Sequence, residues 1–422
     1  MKLTAERLIE NLSDAEKQRA LLVESALKEV RSKAEWADRE ANFPRSHLRL
    51  FKQLGLTGLI VPKEFGGLGG SLRDLTAATF ALGSACPSTA LTFFFHCSTA
   101  SRGLLALEAM DQGLFEEHEI PEVREFAQKV LYRMGQEGLW FSNFGSESVK
   151  SEKAAVTVAT TAKPVDGGFI LNGVKSFGCG TGVSDFYLVT AMMEGNPSLD
   201  GIGTFFIPRE TEGVRDRVPW NAIGMRGTAT HGIILENVFV PKGEALVVPG
   251  AFTRMMKVSR GSFVGNQVAG TACYLGAAHH VYDEALANIQ QKKFADTGRS
   301  IGEAPFLQQI IGDMDRHLIT ATLWMRRQLE LEHSVPPPLP KGDVVRHWRH
   351  CKGEVSEACF QVAALALKCG GTSGTGMDGF AARGLRDMAM GLVQAFPPER
   401  GRMEAAKMLL SDGEQALFGG RS

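Results

Sequence analysis

A chain of 422 residues, 44% hydrophobic and 22% charged, is long enough for two or three domains with sizeable cores and has an ordinary globular composition. Its formal net charge of -1 gives no electrostatic reason to expect nucleic acid or an anionic membrane as partner, and no apolar run approaches the ~20 residues of a membrane span. The 7 cysteines are scattered and odd in number, which reads as reduced thiols and not as a disulfide framework.

The N-terminus, MKLTAERLIENLSDAEKQRALL, has no apolar signal core and is rich in acids, so a cytoplasmic protein is expected. Residues 1–135 carry helical periodicity in AERLIENL, HLRLFKQLGLTGLI and LRDLTAATFALGSA, with VPKEFGGLGGSL as a glycine-rich break. Over 136–250 the texture changes to short β-prone runs, DFYLVTAMM, GTFFIP and GIILENVFVP, parted by Asp-Gly, Asn-Gly and Pro turns; this predicts a small antiparallel β-domain. Helical patterning returns over 251–422, where VPPPLPKGD is a stiff connection between two helices. The fold class expected is α+β multidomain: an N-terminal helical domain, a middle antiparallel β-barrel-like domain and a C-terminal four-helix bundle.

Several constellations that suggest chemistry lose force in context. GTGMDG (374–379) matches GxGxxG but follows a helix instead of a strand, so it is no dinucleotide fingerprint. His347, His350, Cys351 and Glu354 have helical spacing but no second ligand pair, and read as a polar helix face, so no metal is expected. His279 and His280 sit among apolar residues and suggest a helix–helix or subunit contact.

The segments GLIVPKEFGGLGGS, NGVKSF, GMRGTATHGIILENVFVP and GG…RGLRD, in that order, resemble the acyl-CoA dehydrogenase superfamily of flavoproteins over nearly the whole chain. The resemblance implies a flavin, FAD by prevalence with FMN possible, and a homodimer or homotetramer. It places flavin contacts at Phe141, Ser142 and Asn143, and at Phe177, Gly178 and Cys179 of the turn after Asn172-Gly173. It also puts Gly370 and Gly371 beside a neighbouring subunit's flavin; the family's pyrophosphate arginine has no clean match, and Lys292, Lys293 and Arg299 are the candidates for that role.

The resemblance further implies oxidation of an acyl thioester at its Cα–Cβ bond, with a glutamate taking the α-proton and an electron-transfer partner downstream. The usual position of that glutamate reads Ala395, and the alternative one, before Arg260, reads Ser259. Glu399 is the nearest acid, beyond Phe396-Pro397-Pro398, and is the candidate base. A monooxygenase branch of the same fold needs no such base and takes reduced flavin from a reductase. SNFGSES, FGCGTGVSD and PWNAIGMRGT resemble it, with His96 and Asn143 as its catalytic candidates. A third expectation is a non-catalytic subunit of a hetero-oligomer.

Overall fold

The computed structural model describes residues 2–148, 157–259, 267–394 and 397–410. Six helices come first: α1 (Asp14–Ser32), α2 (Ala34–Glu40), α3 (Arg45–Gln53), α4 (Leu72–Ala85), α5 (Pro87–Asp111) and α6 (Ile120–Gly135). Two begin on capping boxes, Ser13 with Glu16 and Ser71 with Asp74, each supplying acceptors to otherwise unpaired N–H groups. The buried Asp74 also receives Arg19 Nε at 2.6 Å, tying α4 to α1.

Eight strands follow: β1 (Phe141–Phe144), β2 (Thr161–Val165), β3 (Gly168–Lys175), β4 (Phe186–Met193), β5 (Ile202–Pro208), β6 (Val214–Asp216), β7 (Ile233–Pro241) and β8 (Ala245–Leu246). They form one sheet in the order β6-β7-β3-β2-β4-β5-β8, with β1 also paired to β4. Most ladders are antiparallel, as expected from the hairpin turns. β1 and β2, however, both run parallel to β4 along the same edge, β1 against Phe186–Val189 and β2 against Met192–Met193. A parallel neighbour needs a crossover connection, and no tight turn in the sequence announces one.

The last helices are α7 (Ala251–Val258), α8 (Gln267–Gln291), α9 (Pro305–His333), α10 (Lys341–Gly370), α11 (Phe380–Gly391) and α12 (Pro398–Leu410). α8 to α11 pack as the expected bundle, and α12 lies along α10. One apolar core runs without interruption from Leu8 and Phe80 through Leu275 to Val355 and Met388, so N-terminal and C-terminal helices share it. The sheet has its own core of Phe144, Leu171, Tyr187, Phe205 and Leu235.

The helical halves meet where α4 crosses α8, at two glycines. A Cβ on Gly276 would stand 2.0 Å from Phe80 O, and one on Gly83 would stand 2.4 Å from Cys273 O. Only glycine permits backbones this close. No described helix is long and apolar enough to cross a membrane.

Candidate functional site

The site is built around β1, an edge strand that pairs with β4 on one side only. Side chains alternate along it: Ser142 and Phe144 face the sheet's interior, while Phe141 and Asn143 face the helices. On the unpaired edge the Phe141 N–H donates to His96 Nδ1 at 3.0 Å. Backbone groups of alternate residues share an edge, so Asn143 presents its N–H and C=O to that side too, beside a half-buried amide side chain.

His96 is fully buried on α5 and stacks on Trp140, with centroids 4.1 Å apart and planes 13° from parallel. Since Nδ1 accepts from Phe141, Nε2 carries the proton and donates to Thr57 O at 2.9 Å. Burial pulls its pKa down to about 4, so the ring stays neutral. Both nitrogens are committed to the backbone. In this arrangement His96 holds β1 against the helical domain and does not face a ligand with a free nitrogen.

Ser142 is also committed. Its hydroxyl donates to Cys179 O and lies 2.6 Å from Ser184 Oγ, which fixes the turn that follows β3. In that turn Gly178 lies against the Phe144 ring, while Phe177 is 43% exposed and meets Trp220 edge-on at 4.6 Å. Cys179 Sγ accepts from Thr230 Oγ1 at 3.2 Å, and burial pushes its pKa up to about 12, so it remains a thiol. Lys175 closes the turn through a buried pair with Glu147 at 2.5 Å.

The turn docks on the GMRGT segment by Gly180 N–H to Thr228 O (2.8 Å) and Thr181 N–H to Ala229 O (3.0 Å). GMRGT in turn docks on α11. The Met225 N–H donates to Asp387 Oδ1 at 2.6 Å, and a Cβ on Gly224 would stand 2.0 Å from Arg386 O. Arg386 pairs with Asp38 of α2, whose carbonyl receives Arg226 Nε at 2.8 Å. The Arg-Asp pair of the sequence thus fastens three parts of the molecule together. Burial pushes Asp387 up to about 6.

At the C-terminal end of α11, Tyr274 Oη donates to Gln394 Oε1. Lys352, buried in α10, donates to Gly391 O at 2.5 Å, and burial lowers its pKa to about 8. Ala395, Phe396 and Arg260 lie outside the described residues. Glu399 falls in the first turn of α12 with its side chain 77% exposed, 3.6 Å from Arg402. Arg299 is 67% exposed and pairs with Glu303 at 3.3 Å. Gly370 and Gly371 end α10, with nothing within 4 Å of a Cβ at either. Within one chain, then, β1 and the turn at 177–179 converge, while Glu399, Arg299 and the glycine pair face solvent. Among the described residues no group of three or more His, Cys, Asp or Glu could hold a metal.

Sequence reasoning passed over Asp387, Tyr274 and Lys352. The Arg-Asp pair was visible as a landmark, but its partner Met225 lies 162 residues away, a separation no local pattern reports.

The open edge of β1 at Asn143 offers an N–H, a C=O and a side-chain amide, the groups that would meet a planar ligand with donors and acceptors on its rim. A flavin ring has that character.

Comparison with known proteins accords with this geometry. Residues 13–113 match the family model described as acyl-CoA dehydrogenase, N-terminal domain; 145–238 match the middle domain and 269–395 the C-terminal domain. The chain is 25% identical over 401 residues to the probable acyl-CoA dehydrogenase YngJ of Bacillus subtilis (strain 168), covering 93% of this chain and 97% of that protein. It is 28% identical over 325 residues to the dibenzothiophene monooxygenase of Rhodococcus erythropolis, covering 74% and 71%. Among solved structures, KijD3 in complex with FMN and a dTDP-linked amino-keto sugar superposes with a TM-score of 0.80 at 21% identity, covering 99% of each chain.

Proposed function

The chain belongs to the acyl-CoA dehydrogenase family, and from that premise we propose a flavin-dependent oxidoreductase whose reaction uses no side-chain carboxylate, namely monooxygenation of a small molecule with reduced flavin. The observation that carries this reading is the neutral Tyr274–Gln394 pair at the end of α11, next to the position where a dehydrogenase would need its base. An amide cannot serve as that base, because general-base catalysis needs a pKa near the working pH. The stretches 260–266 (RGSFVGN) and 395–396 (AF) contain no Asp or Glu that would supply one instead. Asp387 is occupied by the Met225 N–H.

Reduced flavin, FMN or FAD, supplies the electrons with which oxygen is divided between substrate and water. This chain's residues bind, orient and keep the site dry. Asn143 and the open edge of β1 would hold the ring's polar rim and Phe177 and Trp220 would cover it, while His96 and Ser142 keep β1 and the turn in register. The Cys179 and Tyr274 protons stay in place, since burial raises both pKa values. A separate reductase delivers the reduced flavin, and the assembly is a homodimer or homotetramer.

Oxidation of an acyl thioester is the second reading. Its base would be Glu399, whose charge slightly offsets the burial that lowers the pKa of Lys352 and which would act after rotating inward from its exposed place on α12. One experiment separates the two readings: anaerobic visible spectra of the flavin-loaded protein with a panel of acyl-CoA thioesters, together with titrations of oxidised and reduced flavin. Tighter binding of the reduced form and no bleaching by any thioester is the expected result. Bleaching by one thioester overturns the oxygenase reading and makes Glu399→Gln the next variant.

A further inference from the structure

Nearly every residue of α5 from Ser88 to Gly103 is buried, with Phe95 and Ser98 as the two half-exposed exceptions. They share a stripe of the helix with Arg102, at i, i+3 and i+7. One flank of the stripe packs on α8, where Phe94 fills the space beside Gly270. The other flank meets β1 through His96. The stripe therefore looks along the seam between the sheet domain and the C-terminal bundle, and Arg102 stands at its far end.

Arg102 is only 6% exposed, yet its Nη1 has no hydrogen-bond partner among the described residues and no described carboxylate lies within ion-pair distance. Its guanidinium carbon stands over the face of the Phe252 ring on α7, 5.1 Å from the centroid. The other buried cations among the described residues have an oxygen: Lys175 has Glu147 at 2.5 Å, Arg349 has Glu404 at 3.1 Å and Lys352 has the Gly391 carbonyl. An uncompensated buried charge is among the most costly features a fold can carry. Burial lowers the pKa of Arg102 only to about 10, so the charge persists at neutral pH. A guanidinium offers two parallel N–H groups, a shape that matches a carboxylate or a similar small oxyanion.

We propose that Arg102 is a specificity-determining residue that receives an anionic group, a carboxylate or its sulfur-oxyanion equivalent, at the far end of a substrate lying along the α5 seam. The proposal rests on the reading of this seam as the substrate cleft, and it holds for either reaction. The substrate class is an acid whose reacting end reaches β1 while its charged end lies against α7.

The test is calorimetric titration of the flavin-loaded protein with matched pairs, benzoate against benzamide and glutaryl-CoA against pentanoyl-CoA. At least one acid binds tenfold or more tightly than its neutral partner. That preference disappears in Arg102→Leu and is partly kept in Arg102→Lys, with flavin affinity unchanged in both. Thermal melting gives a second readout: Arg102→Leu, which removes a buried charge that has no carboxylate partner among the described residues, melts at or above the wild-type temperature. Equal binding of acid and neutral partner, no binding of either acid, or an Arg102→Leu variant that melts several degrees lower or does not fold overturns the proposal. Calorimetry reads binding alone, so a chain that prefers acids but neither binds reduced flavin nor turns over leaves this proposal standing and defeats the functional one.

Discussion

His96 shows how a residue can be legible as important without its role being legible. The sequence places a histidine on an aromatic helix, and its burial turns it into a neutral bridge between Thr57 and Phe141. Removing it in His96→Ala leaves a buried N–H and a buried C=O unpaired, which should cost about 2–5 kcal/mol in urea unfolding and weaken flavin binding with it. Its folded pKa lies below the ordinary histidine value, so its stabilising contribution is present above pH 6.5 and is lost as pH falls through about 4. Glu332 on α9 behaves in the opposite sense. Burial pushes it up to about 7, with Gln328 Nε2 donating to it at 2.7 Å. A carboxyl whose folded pKa is raised contributes fully below pH 4.5, and that contribution is lost as pH rises through about 7. Glu332→Gln should therefore gain on the wild type by on the order of 3 kcal/mol between pH 4.5 and 8, measured as denaturation midpoints across that range.

Among the elements, the long helix α9 was readable because its apolar spacing agrees with the face it buries, through Leu307, Met314, Leu318, Ala321, Met325 and Leu329, whereas α4 and the first half of α8 are buried on all sides. The Pro397-Pro398 pair reads as a helix break, and it both follows the end of α11 and starts α12, since proline needs no N–H at the first position. That start leaves Glu399 in an exposed first turn. The site strands were harder to read. The family resemblance marked Phe141 to Asn143 and the turn at 177–179, but the residues alone did not show which of them points inward, because that depends on β1 joining the sheet in parallel from far along the chain. At the α4–α8 crossing, Gly276→Ala sets a methyl against Phe80 O, so a loss of about 3 kcal/mol or failure to fold is expected, checked by chemical denaturation. Alanine at Gly312 on α9, where a Cβ has nothing within 4 Å, serves as the control and should be neutral or slightly stabilising.

Across the whole molecule, the order of helices, sheet and bundle followed from texture alone, whereas the merging of the two helical parts into one core did not, because it arises from contacts between α4 and α8. A fragment ending at Gly135 leaves the α8-facing side of α4 bare, so it should give little cooperative unfolding by circular dichroism, unlike the full chain. The sheet core is separate, so amide exchange in β3, β4 and β7 should differ from that of the helices, which should exchange together.

The Gly83–Gly276 crossing also bears on how this chain can change by descent. A clash between side chains can be relieved from either partner, but here the obstacle is main chain on both sides, and no residue is smaller than glycine. Neither position has a second-site remedy in the other. A chimera that joins the first half of one homologue to the second half of another should therefore inherit this packing only when both parents carry glycine at the crossing.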